Sequence, residues 1–184
     1  MADISGKGVA AALLMANFQA TFHSLIRQGH PLDVFVHTLN ELVLRITHGE
    51  KFITFFIAEY DERNRIMRYV NAGHNPPALV MNGQIIRLDE GCTILGSFHK
   101  LPSLEIGEVA ITDEAIILSY TDGLTDIQND NSEYFDEALV EQFLRQNYRL
   151  NAEGFNDELM EQITKFKKNE PYPDDLTVLT CKIY

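Results

Sequence analysis

The residues best suited to chemistry in this sequence sit in three short acidic turns. Asp3 opens the stretch Asp3-Ile4-Ser5-Gly6-Lys7-Gly8. Asp122-Gly123 follows the run Ala115-Ile116-Ile117-Leu118-Ser119-Tyr120-Thr121. Asp174-Asp175 stands just before Leu176-Thr177-Val178-Leu179. Carboxylates held at the ends of strands and helices are what an oxygen-liganded divalent-cation site needs, because hard ions such as Mg and Mn take carboxylate, carbonyl and water oxygens. The competing reading of each turn alone is that Asp and Gly merely end an element. Three turns of one kind make the cation site the hypothesis to carry forward.

The elements that must position these turns can be read from periodicity. The apolar run Ala115 to Leu118 predicts a strand covered on both faces, with Asp122-Gly123 as its tight exit. Ahead of it, a helix is predicted over Val9 to Gln28, ended by Gly29-His30-Pro31. Its first turns are almost wholly apolar, so burial against a sheet is expected. No strand is expected before it to hold Asp3, and the start reads as a chain cut inside a domain. Leu32, Phe35, Val36, Leu39, Leu42, Val43 and Ile46 form one stripe of a second helix ending at Thr47,. His37 and His48 lie away from any acidic pair and read as surface or cap residues.

Lys51 to Tyr60 and Arg65 to Asn71 read as a strand hairpin, with Thr54 interrupting the apolar run. Ala72-Gly73-His74-Asn75-Pro76-Pro77 forms a rigid polar turn, and Asn82-Gly83 joins strands Ala78 to Met81 and Gln84 to Leu88. Asp89 to Lys100 is expected to be an irregular loop and Leu104 to Ile111 a strand. The acidic segment from Asp122 to Tyr134 is expected to be exposed and mobile, as a substrate-contacting lid would be. Helices follow at Asp136 to Arg145 and Ala152 to Lys167. The proline-bearing loop 168–173 then delivers Asp174 to a last strand, Leu176 to Ile183. This order excludes regular βα alternation and predicts an α+β fold with mixed sheets flanked by helices.

At 184 residues and 45% hydrophobic, the chain can bury a full core and is expected to form one domain or most of one,. Its net charge of −12, from 27 acidic and 15 basic residues, argues against a nucleic-acid surface,. Cys92 and Cys181 fit no C-x-x-C pattern, so a reduced, cytoplasmic setting is the simpler expectation. No uninterrupted apolar run is long enough for a membrane span. Ser5-Gly6-Lys7-Gly8 lacks the full G-x-x-x-x-G-K-[ST] pattern of a nucleotide loop.

Four motifs in order, Ala2-Asp3-Ile4-Ser5-Gly6-Lys7-Gly8, Ala72-Gly73-His74-Asn75-Pro76-Pro77, Tyr120-Thr121-Asp122-Gly123-Leu124-Thr125 and Asp174-Asp175-Leu176-Thr177-Val178-Leu179, resemble the bacterial SpoIIE branch of the metal-dependent type 2C (PPM) serine/threonine phosphatases. Asn40, Phe52, Thr54 and Leu95-Gly96 resemble the family's connecting pieces. The resemblance implies an αββα sandwich of two antiparallel sheets flanked by helices, with a site for two Mn or Mg ions. It places the Asp3 carboxylate, the Ile4 backbone carbonyl, Asp122 and Asp174 on the metals, with Gly123 and Asp175 in support. Relatives also carry a Gly-Gly-Asp-aromatic-aromatic-Asp element ahead of the Asp3 motif. Nothing here matches it, so residues 1–184 read as a single SpoIIE-type domain, N-terminally truncated.

The implied reaction is hydrolysis of phosphoserine or phosphothreonine on a regulatory protein, an anti-sigma-factor antagonist in many relatives, with an N-terminal sensor or receiver domain elsewhere in the protein. Two cations about 3.5 to 4 Å apart can lower the pKa of a bridging water and aim hydroxide at phosphorus, so no Ser or Cys nucleophile is needed. His74, Lys7 and Asn75 are candidates to assist, as acid, phosphate partner and turn support. Two alternatives stay open: a non-catalytic phosphoprotein-binding module of the same fold, and a small-molecule phosphate-ester hydrolase. The helix pair Val9 to Thr47 suits a switch or homodimer surface.

Overall fold

The structure, a computed structural model, describes residues 1–184. In chain order the elements are β1 (Ala2–Ile4), α1 (Val9–Gln28), α2 (Leu32–Thr47), β2 (Ile53–Asp61), β3 (Ile66–Ala72), β4 (Ala78–Met81), β5 (Gln84–Arg87), β6 (Gly91–Cys92), β7 (Gly107–Ala110), β8 (Ala115–Tyr120), α3 (Glu137–Asn147), α4 (Ala152–Lys167) and β9 (Val178–Ile183). They fall into two compact units, residues 1–74 with 88–110, and 75–87 with 111–184. Each unit has one sheet, two helices and its own core.

In the first unit the sheet runs β1-β2-β3, and β6 and β7 both pair with β3. All pairings are antiparallel except the two-residue contact of β6 with Asn71 and Ala72. That contact explains why β7 is shorter than the expected Leu104 to Ile111 strand. It pairs with Ile66 to Tyr69, and beyond Tyr69 the strand edge is already taken by β6. It also puts a short strand inside the expected irregular loop 89–100. The stripe of α2 is buried from Leu32 to Val43, with Val36, Leu39 and Val43 fully covered, while its last residue, Ile46, stays 39% exposed. Phe18, Phe22, Phe35 and Phe55 knit the helices to β2 through edge-on ring contacts of 5.3 to 6.1 Å, a favoured aromatic arrangement. α2 ends at His48, whose left-handed φ of 54° closes the helix with its N–H donating to Leu44 O.

Two further expectations are corrected in this unit. Asp3 does lie on a strand: β1 pairs antiparallel with β2, Asp3 opposite Thr54. The partner lies some 50 residues away, so no local pattern announced it. Helix α1 is not buried through its first turns. Leu14, Phe18 and Leu25 enter the core, while Val9, Leu13, Met15 and Ile26 remain more than half exposed. One face of the helix suffices to pack against α2 and the sheet, and the apolar residues on its other sides have no element to cover them. By length and composition α1 is also apolar enough to cross a membrane, although it contains no uninterrupted apolar run of that length.

The second unit has the order β5-β4-β8-β9, antiparallel throughout. The expected buried strand is β8, whose Ala115, Ile116 and Leu118 are covered. Helices α3 and α4 close the core with Val140, Phe143, Leu144, Phe155, Leu159 and Ile163. Both are capped at the N-terminus: Asp136 accepts from Leu139 N–H and Asn151 from Gly154 N–H. Such caps are worth about 1 kcal/mol each. The 122–134 segment is more anchored than its composition implied. Leu124, Ile127 and Phe135 are fully buried, a Gln128–Tyr134 bridge closes the loop, and Asn129 Oδ1 accepts from both Asn131 N–H and Glu133 N–H. Three apolar residues spaced through a polar stretch pin it at both ends.

Candidate functional site

β8 and β9 are antiparallel neighbours, so the turn leaving one and the turn entering the other lie at the same end of the sheet. Tyr120 pairs with Val178 at that end. Beyond this pair the two chains stay together through Thr121. Its N–H donates to Thr177 O at 3.1 Å, its hydroxyl donates to Asp175 O at 3.3 Å, and the same oxygen accepts from Thr177 N–H at 3.1 Å. The side chain thereby replaces a ladder bond just where the strands separate into Asp122 and Asp174-Asp175.

Gly123 completes the clamp. A Cβ there would stand 2.3 Å from Asp175 O and 2.9 Å from Asp175 C, closer than real side-chain carbons approach backbone. Its φ is not in the left-handed region, so glycine serves here by lacking a side chain. Asp122, Asp174 and Asp175 are exposed, and no lysine, arginine or histidine forms an ion pair with them. Asp174 Oδ1 accepts from Asp175 N–H at 2.8 Å, which orients that carboxylate and leaves Oδ2 for another partner.

Asp3, Ile4, Lys7 and His74 belong to the first unit, Asn75 to the second. Asp3 is exposed on β1. The turn after it is fixed by Ser5, whose N–H donates to Phe52 O and whose Oγ accepts from Phe52 N–H. Lys51 Nζ donates to Ser5 O at 3.4 Å. Lys7 is exposed, and Gly8 caps α1 at a φ of 83° that favours glycine. Directly paired residues of neighbouring strands project to the same face, so the Asp3 and Thr54 side chains share a face. Thr54 Oγ1 and His74 Nδ1 form a 3.0 Å hydrogen bond. His74 is 5% exposed; its N–H donates to Asn71 Oδ1, and Asn71 Nδ2 donates to Leu88 O. The Ala72 to Pro77 motif is thus braced from beneath by a buried polar chain. Asn40, also buried, joins α2 to the following loop by donating to Phe98 O and accepting from Gly96 N–H.

Nowhere does the structure gather three or more His, Cys, Asp or Glu side chains around one point. Two exposed carboxylates on clamped turns still suit Mg or Mn, which can be held by one or two carboxylates while keeping several waters. Neither cysteine competes for this role: burial pushes the Cys92 thiol up to about 11, and Cys181 lies on β9. Ser5 and Thr121 stand inside the sequence motifs without a role assigned to them, and Lys51 stands outside them. Thr121 had a signal in retrospect, a hydroxyl residue at the end of an apolar strand, but its partners come from more than 50 positions away.

The SpoIIE family profile, described as Stage II sporulation protein E, matches residues 1–184. The chain belongs to the SpoIIE family. Phosphoserine phosphatase RsbU of Bacillus subtilis is 23% identical over 185 residues, covering 99% of this chain and 54% of that protein. The chain thus spans about half the length of this curated relative. The SiaA-PP2C domain of Pseudomonas aeruginosa superimposes over 100% of this chain and 74% of its own, with a TM-score of 0.85 and 17% identity. The PP2C phosphatase domain of Bacillus subtilis SpoIIE, with a fragment of its regulatory domain, gives a TM-score of 0.79 at 14% identity, over 97% of this chain and 52% of its own. That phosphatase domain is also known from Mn-presoaked material, with a TM-score of 0.58. Together these establish the SpoIIE, PP2C-like α+β fold with two sheets and four helices.

Proposed function

We propose that this chain is the catalytic part of a divalent-metal-dependent protein serine/threonine phosphatase, and that its two units are parts of one domain. The observation that carries the reading is the pair of exposed acidic turns, Asp122-Gly123 and Asp174-Asp175, clamped side by side at one end of β8 and β9. A family profile running through both units, and a relative named as a phosphoserine phosphatase, support it.

In this reading Asp122 and Asp174 would hold Mn or Mg; Asp3 and the Ile4 carbonyl are assigned to the metals by the resemblance alone. Bound ions would supply charge neutralisation for the phosphoryl oxygens and an acidified water. The chain's own residues set the geometry. Thr121 and Gly123 keep the two turns in contact, Asp175 N–H fixes the Asp174 carboxylate, and Ser5 with Lys51 fixes the turn beyond Asp3. His74, buried and bonded to Thr54, braces the Ala72 to Pro77 turn. The substrate is a phosphoserine or phosphothreonine on a regulatory protein, with an anti-sigma-factor antagonist as the first to try and a cytoplasmic setting.

Two alternatives of the same fold are tested beside it: a phosphoprotein-binding module that does not turn over, and a small-molecule phosphate-ester hydrolase. Hydrolysis of a phosphoserine peptide and of para-nitrophenyl phosphate, each with and without Mn, decides between them. Mn-dependent turnover that prefers the peptide supports the phosphatase. Binding of the peptide without turnover supports the module, and preference for the small ester supports a small-molecule hydrolase.

A further inference from the structure

Beside the acidic turns the second unit contains an open cleft of about 510 Å³, within the roughly 300 to 1,000 Å³ typical of small-ligand sites. Leu159, Met160, Tyr172, Leu176 and Val178 give it apolar walls, and Asp174 and Asp175 line it as well. Leu159 is fully buried, whereas Met160 and Tyr172 are 40% and 42% exposed. These two large apolar groups border a concave space without filling it. Tyr172 is held in place: Lys167 Nζ stands 4.7 Å from its ring centroid, a cation–π contact that steadies the ring.

We propose that this cleft is a specificity pocket that takes an aliphatic side chain of the phosphoprotein substrate, close in sequence to the phosphorylated residue. The inference rests on the phosphatase reading of the same turns. Asp174 is shared between the carboxylate pair and the cleft wall, so a phosphoryl group held at the turns puts the neighbouring peptide at the cleft mouth. At about 3.3 Å per extended residue, the side chain concerned lies within about three positions of the phosphoserine. The walls select its chemistry. Burying a leucine on Met160 and Tyr172 is worth about tenfold or more in affinity, while Asp174, Asp175 and the chain's net charge of −12 disfavour a glutamate there,. A cleft of this volume receives one or two side chains, which excludes a whole folded partner as its occupant.

The test uses phosphoserine peptides identical except for Leu, Ser or Glu at one position within three residues of the phosphoserine, hydrolysed with Mn by the wild-type chain, Met160→Glu and Tyr172→Ser. Para-nitrophenyl phosphate serves as the pocket-independent substrate. The expected result is a kcat/KM about tenfold higher for the leucine peptide at one or more positions. That preference shrinks to within twofold in both variants, while the small ester is turned over as by wild type. No preference in the wild type, or a preference that survives both substitutions, overturns the pocket. Should no substrate be hydrolysed, the phosphatase reading fails separately, and binding of phosphonate analogues of the same peptides decides the pocket. A leucine preference lost in the variants upholds it; equal binding of all analogues overturns it.

Discussion

Replacing Gly123 by alanine adds one methyl group at the point where the two acidic turns touch. Its carbon would lie 2.3 Å from Asp175 O and 3.3 Å from Leu176 Cα. Carbon contacts are comfortable only near 3.5 Å, so one turn must retreat by about 1 Å. The backbone conformation itself suits alanine, because φ at Gly123 is not positive, and the cost is therefore the overlap alone. Overpacking of this kind costs about 1 to 3 kcal/mol. For a chain of this size that lowers Tm by between about 2 and 12 °C. The functional cost should be larger, since a displacement of about 1 Å between groups that must act together costs on the order of 100-fold in rate. The assay pairs thermal melting by circular dichroism with Mn-dependent hydrolysis of a phosphoserine peptide. A Gly123→Ala protein that melts a few degrees lower and hydrolyses at the wild-type rate would refute the claim that contact between these turns sets the site.

Three further outcomes follow from other parts of the structure. Thr54→Val removes the hydroxyl bonded to His74 Nδ1 and should destabilise the chain by about 1 to 3 kcal/mol, measured by urea denaturation; an unchanged midpoint would show that the buried polar chain braces nothing. At pH 8 iodoacetamide should label Cys181 well before Cys92, because a thiol pushed up to about 11 is thiolate in only about one molecule in a thousand, and peptide mass mapping reads the order. Leu13→Glu on the outer side of α1, where Leu13 is 61% exposed, should move stability by no more than about 0.5 kcal/mol; a large loss of Tm would restore the view that this helix is buried from its first turn.

Locally encoded features were legible. The Asn82-Gly83 hairpin, the α2 stripe and the span Ala152–Lys167 follow from turn chemistry and periodicity that act over a few residues. The acidic turns were legible as sequence because Asp beside Gly at a strand end is a short pattern. What holds them was not: Gly123 against Asp175 and Thr121 against Thr177 are contacts across more than 50 positions. Strand β1 was missed for the same reason, since three residues acquire their pairing only from β2. The burial of α1 was overestimated because apolar composition records what a helix can bury, while exposure depends on how many neighbours the fold supplies.

Isothermal calorimetry with Mn on the wild-type chain, Asp122→Asn and Asp174→Asn shows whether Asp122 and Asp174 hold a divalent cation. Both residues are exposed, so the variants should melt within about 2 °C of wild type. Saturable Mn binding by the wild type should weaken at least about tenfold in each variant, since each loses a charged oxygen ligand; equal Mn affinity in all three proteins would mean that these carboxylates do not hold the ion.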